Sequence, residues 1–238
     1  MNGKAHAAIG ATSPLVLITA GADLGQLLVL AGIAAGAALG PDIDHPNATA
    51  TRALGTAVHK SVHTLSKTVR WATSTRADRA AAAQWESLGR DADHRALTHT
   101  GVSALVVGTA GFFLSLIPFG SVAVVALGGW LVGNLVKRTT APVVCIALTG
   151  LAVMCSVPAW MAASAVALGW LSHVLADACT MGGVPLMWPM RRDGKRWKHT
   201  RFLGKMLRSG ASSEWAVAMG FIVVLSFPFT VVMLTPYR

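Results

Sequence analysis

Apolar residues gather in seven long runs, 5–20, 24–40, 101–117, 120–136, 142–157, 159–178 and 214–234, and polar residues fall mostly in the breaks between them. Each run is close to the roughly 17 to 20 residues that a helix needs to cross about 30 Å of hydrocarbon. The pattern predicts an all-α, polytopic helical membrane protein with six to seven transmembrane helices. Gly21-Ala22-Asp23 makes a turn, so 3–40 reads as a helical hairpin. Pro41 ends its second helix and Pro158 splits 142–178, because proline has no amide hydrogen and clashes with the preceding turn.

Two polar stretches interrupt the spans. In 53–72, Ala53, Leu54, Ala57, Val58, Leu65, Val69 and Ala72 recur at helical spacing, with Arg52, Lys60, Lys67 and Arg70 among them. That arrangement predicts a cytoplasmic amphipathic helix on an anionic membrane face. An Ala-rich helix follows at 80–88. The second stretch holds a turn at Gly182-Gly183-Val184-Pro185, an interfacial anchor at Trp188-Pro189 and a basic segment, 191–208. The chain therefore reads as a single membrane domain, 1–238, carrying a helical insertion at 47–92 and a basic loop at 179–212.

Composition and charge sharpen this picture. The 238 residues are 53% hydrophobic and only 13% charged, about half the charged share of an ordinary soluble domain. With the N-terminus inside and seven alternating spans, nineteen of the twenty Lys and Arg residues face one side, and only Arg238 lies opposite. Cytoplasmic loops carry such an excess, so the threading places the N-terminus in the cytoplasm. Three cysteines, Cys145, Cys155 and Cys179, have no metal-knuckle or disulfide spacing. A cleaved signal peptide at 5–20 is rejected, because a second apolar run follows at once.

The threading brings four short polar motifs to the same membrane face: His6; Asp42, Asp44 and His45; His94, Arg95 and His99; and His173 with Asp177. Carboxylates and imidazoles at such a boundary need partners, and a bound metal is the simplest common one. His173 and Asp177, at i and i+4, share one helix face. Asp42 and Asp44 repel unless something positive lies between them. His94 and His99 are five apart, about 140° on a helix, so they meet only if His94 lies in the entry loop. Arg95 is an oxyanion binder by its forked geometry, or else an interfacial lipid contact. His59 and His63 read as surface residues, and His199 as a contact to lipid head groups. Thr98 and Thr100 read as helix caps.

The order of motifs resembles the YdjM/DUF457 family of bacterial inner-membrane proteins: an early His, then Pro-Asp-Ile-Asp-His-Pro, His-Arg-x-x-Thr-His, and His-x-x-x-Asp-x-x-Thr-x-Gly-Gly-Val-Pro. It extends from about 3 to 189. The resemblance implies a membrane-bound metal-dependent hydrolase whose polar positions are His6, Asp42, Asp44, His45, His94, His99, His173 and Asp177. A fainter similarity to zinc-dependent phospholipase C and P1-type nucleases favours phosphoesters. The insertion 47–92 and the basic loop 191–208 depart from the family pattern.

Together these readings predict a hydrolase acting on a phospholipid or polyprenyl phosphate at the cytoplasmic face. One to three divalent ions, zinc first and manganese or iron next, would be held by His173, Asp177, Asp44 and one or both of His94 and His99, with His6, Asp42 and His45 nearby. Arg95 and Asp42 would serve the reaction. The rival is a non-catalytic scaffold or transporter with a structural metal. A membrane-tethered nuclease is a further alternative, with nucleic acid the less favoured partner. Ionisable groups at one face rather than mid-span argue against a permeation path. Oligomeric state is open.

Overall fold

A computed structural model describes residues 2–86, 95–203 and 213–234. Among them the regular secondary structure is helical, apart from two isolated β-bridges, Val184 with Thr200 and Arg192 with Lys195. The helices are α1 (Gly3–Thr12), α2 (Leu24–Ala37), α3 (Thr49–Leu54), α4 (Thr56–Thr73), α5 (Arg76–Glu86), α6 (Gly101–Leu116), α7 (Gly120–Val136), α8 (Ala141–Met154), α9 (Ala159–Ala178) and α10 (Ser213–Leu234). Short 3-10 helices at Ser13–Ala20, Pro41–Asp44 and Leu97–His99 extend or precede them.

The local signals explain the breaks. The first apolar run is not one helix: Ser13 Oγ donates to the Gly10 carbonyl at 2.8 Å, and Pro14 opens the 3-10 stretch. At Gly21 the backbone is left-handed (φ +87°), which glycine adopts without strain. Asp23 then caps α2 in a capping box with Gln26. Pro158 is the N-cap of α9.

Among the described residues, three helical segments are long and apolar enough to cross a membrane: Leu24–Asp44, Ala159–Ala178 and Glu214–Val232. Gly101–Leu116, Gly120–Val136 and Arg138–Met154 are apolar but shorter. The expectation of six to seven spans is therefore met by length and composition for three of them.

Small residues let the helix backbones touch. A Cβ on Gly36 of α2 would lie 2.5 Å from the Gly128 carbonyl oxygen of α7. One on Gly169 of α9 would lie 2.2 Å from the Ala34 oxygen of α2, and one on Gly10 of α1 would lie 2.5 Å from the Ala38 Cβ. Helices in a bilayer associate through such close faces. The crossing of α1, α2 and α9 lies one turn from His6, Ala38 and His173, and so sets the spacing of the polar cluster above it.

Both polar elaborations fold onto this bundle. Trp130 of α7 donates its indole N–H to the Ala53 carbonyl at the end of α3. The 196–202 segment is tied to the end of α9: Thr200 exchanges backbone hydrogen bonds with Val184, and Phe202 N–H donates to the Ala178 carbonyl at 2.8 Å.

Candidate metal centre

Three chain segments meet at one end of the bundle and bring four polar side chains together. His173 and Asp177 come from the last two turns of α9, Asp42 from the 3-10 turn after α2, and His99 from the 3-10 turn before α6. One ligand atom of each lies within 4.8 Å of those of the other three. His173 Nε2 and His99 Nε2 face each other at 3.3 Å. Asp42 Oδ1 is 3.5 Å from both nitrogens, and Asp177 Oδ2 is 3.6 Å from His99 Nε2 and 3.8 Å from His173 Nε2.

The hydrogen bonds behind the rings assign their tautomers. His173 Nδ1 is 2.7 Å from the Ala38 carbonyl oxygen, which can only accept, so Nδ1 carries the proton. The Thr98 hydroxyl donates to Asp44 Oδ2 at 2.9 Å, so its oxygen must accept from His99 Nδ1, 3.0 Å away. Both Nε2 atoms are then lone-pair donors pointed at each other, with two carboxylates beside them. Burial also pushes His99 below the usual imidazole range, against the pull of Asp42 and Asp44. A buried cluster of lone pairs and anions needs a cation among them. Two imidazoles and two carboxylates suit zinc, manganese or iron.

His6 lies against this group. Its ring stacks on His173 with centroids 3.6 Å apart, and its Nε2 is 3.4 Å from Asp177 Oδ1. It is 1% exposed, and among the described residues neither ring nitrogen has a hydrogen-bond partner. The ring is placed from below by Asn2, whose side chain caps α1 while its N–H and amide donate to buried Glu214 of α10 at 3.1 and 3.0 Å.

Arg95 holds the other side of Asp177. Its Nε lies 2.9 Å from Asp177 Oδ2 in an ion pair, and its Nη1 donates to Thr180 Oγ1 at 2.8 Å. Its backbone is left-handed, with φ +61°. The guanidinium is thus held at the rim by one ion pair and one hydrogen bond.

The structure gathers Asp42, His99, His173 and Asp177, with His6 and Arg95 in contact. It sets Asp44 one step back, on Thr98 behind His99, with its carboxylate 4.0 Å from His99 Nδ1. Asp42 takes the facing position expected of Asp44, because successive residues of a 3-10 turn differ by about 120°. His45 stands apart, its Nδ1 accepting from Asn47 N–H at 3.3 Å. His94 lies outside the described residues. Thr98 positions the site, whereas Thr100 is a cap, accepting from Ser103 N–H.

Several supporting residues escaped the sequence reading. His59, expected at the surface, is half-buried and holds the Ile43 carbonyl through Nδ1 at 2.7 Å. Ser66 Oγ accepts from Leu97 N–H at 3.1 Å. Helix α4 therefore pins both 3-10 turns. Trp170 donates to the Thr98 carbonyl at 3.0 Å. Only the i, i+7 spacing of His59 and Ser66 on one helix face hinted at this role.

The sequence matches the profile of the YdjM inner membrane protein family over residues 1–237. The chain belongs to the YdjM inner membrane protein family. No curated protein and no solved structure matches it. In this YdjM-family chain the matched region contains all four residues of the cluster and the His6 that stacks on it.

Proposed function

We propose that this YdjM-family protein is a membrane-bound metal-dependent hydrolase acting on a phosphoester, lipid-linked for preference, at the cytoplasmic face. The observation that carries it is the donor geometry: two tautomer-fixed imidazole nitrogens face each other, and of the four donors only Asp42 opens outward. Its side chain is 24% exposed, while those of His99, His173 and Asp177 are at most 1% exposed. A structural site closes its coordination, whereas a catalytic one keeps an open position. A divalent ion held by these four would supply a Lewis acid and make water a nucleophile near neutral pH.

The chain's own groups do the remaining work. The Ala38 carbonyl and the Thr98–Asp44 pair keep both rings in the ligating tautomer. Arg95, fixed on Asp177 and Thr180, presents its positive charge at the rim, where a phosphoryl oxygen gains charge. His6 and Asp177 Oδ1 offer donors for a second ion. The basic residues of 52–95 and 191–208 support a cytoplasmic threading with seven helical passes, in which the shorter helices span with little tilt.

The test starts from detergent-purified full-length protein. Elemental analysis should find a stoichiometric divalent metal in the wild type and its loss in His173→Ala. Absence of metal in the wild type sinks the metal reading. With metal present, a screen of phosphatidic acid, polyprenyl phosphate and a chromogenic phosphodiester separates enzyme from scaffold. Turnover should collapse in Arg95→Ala while metal is retained. A metal-loaded protein that turns over none of these classes would be the scaffold.

A further inference from the structure

The two polar elaborations line a half-open cavity of about 250 Å³, bordered by Arg70 of α4, Asp78 of α5, and Lys195, Lys198, His199 and Arg201 of the basic loop, among others. We propose that this cavity binds the phosphate group of an anionic lipid, as a site separate from the metal donors. Four cationic side chains gather around one carboxylate. Like charges held this close raise the energy of the fold unless an anion joins them.

The Asp78 carboxylate does not serve as that anion, because its oxygens are committed to the frame. Oδ2 accepts from Thr75 N–H and Oγ1, both at 2.8 Å, and from Arg196 N–H at 3.1 Å. Oδ1 accepts from Trp197 N–H at 3.0 Å. Burial alone would raise this carboxyl, but those donors hold it below its usual range, so it stays ionised. Lys198 is paired with Asp193. Among the described residues Lys195 and Arg201 have no carboxylate partner, and theirs is the positive charge left for an anion.

The walls are built rather than draped. Asp78 clamps the backbone of residues 196 and 197. Trp197 donates its indole N–H to Thr73 Oγ1 at 3.1 Å and stacks on Trp188 at 5.1 Å. His199 Nδ1 is 2.9 Å from the Gly182 carbonyl oxygen. Burial, then the charges of Arg201, Arg70 and Arg95, push this imidazole down to about 4, so it adds no charge at neutral pH. Gly182 in turn lies against Arg95, since a Cβ there would sit 2.8 Å from Nη1. The cavity wall and the metal rim thus share one continuous strip of contacts.

A lipid is favoured over a soluble phosphate by the neighbours of the lining residues. Trp71, next to Arg70, is 74% exposed, and Phe202, next to Arg201, is 56% exposed. Two guanidinium groups, each followed in the chain by an exposed apolar side chain, match a head group at the acyl boundary.

Binding to the full-length protein should be measured with two probes: phosphatidic acid in phosphatidylcholine nanodiscs, and soluble pyrophosphate. Two variants of equal charge loss are compared, Lys195→Gln/Arg201→Gln within the cavity and Lys60→Gln/Lys137→Gln outside it. The expected result is a loss of about tenfold or more in phosphatidic acid affinity for the cavity variant alone, with metal content unchanged. Tight pyrophosphate binding that is lost in the same variant would support the phosphate site and reassign its source to a soluble ester. Equal losses in both variants, or none in either, would overturn the proposal, the first by revealing diffuse surface attraction. Should the cavity variant fail to fold, amine labelling of wild-type Lys195 decides: protection by phosphatidic acid or pyrophosphate supports the site, and its absence with both overturns it. Because metal content and turnover are read separately, failure here leaves the hydrolase reading standing, and the reverse holds too.

Discussion

The metal centre and the basic cavity are both polar assemblies at one end of the same bundle, yet they are held by opposite means. The metal centre is positioned by backbone-to-backbone helix contact, through Gly10, Ala34, Ala38 and Gly169, with few polar ties behind each ring. The cavity is positioned by side chains gripping backbone: Asp78 on residues 196 and 197, His199 on Gly182, Trp197 on Thr73. The first kind fixes atoms to fractions of an ångström and tolerates no added volume. The second tolerates surface change and fails when one hub residue is removed.

The sharpest way to break the comparison is to add volume at the crossing. In Gly169→Val the new Cβ would fall 2.2 Å from the Ala34 oxygen, so α9 must move off α2, at a cost of about 3 kcal/mol. Metal content and thermal unfolding midpoint should both collapse. Gly150→Ala, where a Cβ meets nothing within 4 Å, should leave both unchanged. If Gly169→Val keeps wild-type metal, the crossing does not set the donor spacing.

A subtler change keeps the packing and alters one proton. Thr98→Val retains shape but removes the hydroxyl between Asp44 and His99. His99 can then turn or change tautomer. Metal affinity should fall about 10- to 100-fold, read by chelator competition, with the fold intact. Unaltered affinity would show that Trp170 and the helix frame alone orient the ring.

Those two cases show what could be read from the chain. Proline and glycine placed the turn at 21–23 and the break at Pro158, because backbone restrictions act locally. The i, i+4 spacing put His173 and Asp177 on one face, and the charge pattern brought the motifs to one end. The choice between Asp42 and Asp44 was not legible, since it depends on the rotation of one 3-10 turn against α9. The roles of His59 and Ser66 depend on where α4 docks. One signal was present and went unread: Thr75-Arg76-Ala77-Asp78 is a capping box, with Asp78 N–H donating to Thr75 Oγ1. It marked the start of α5 and the hub of the cavity.

That hub supplies the test on the cavity side. Asp78→Ala removes four hydrogen bonds from a buried carboxylate. The 191–203 segment should loosen by about 2 kcal/mol locally, giving several-fold faster limited proteolysis there. Metal content should hold, because no donor is tied to Asp78. Loss of metal in this variant would show that the two assemblies stand or fall together.

The smallest expected effect lies on the strip that joins them. His199 is depressed by burial, then by Arg201, Arg70 and Arg95, to about 4, whereas the unfolded chain binds its proton near 6.5. The fold therefore holds the neutral ring. That contribution is fully present above about 6.5 and is lost as pH falls toward about 4, because the unfolded state then binds more protons. His99, depressed in the same direction, adds to the loss, so removing one ring should flatten the acid limb without abolishing it. His199→Gln keeps an N–H donor for the Gly182 carbonyl and does not titrate. Unfolding midpoints across pH 7 to 4 should fall less steeply in this variant than in the wild type. An unchanged slope would place the acid sensitivity in the metal junction and leave the cavity strip without a share in it.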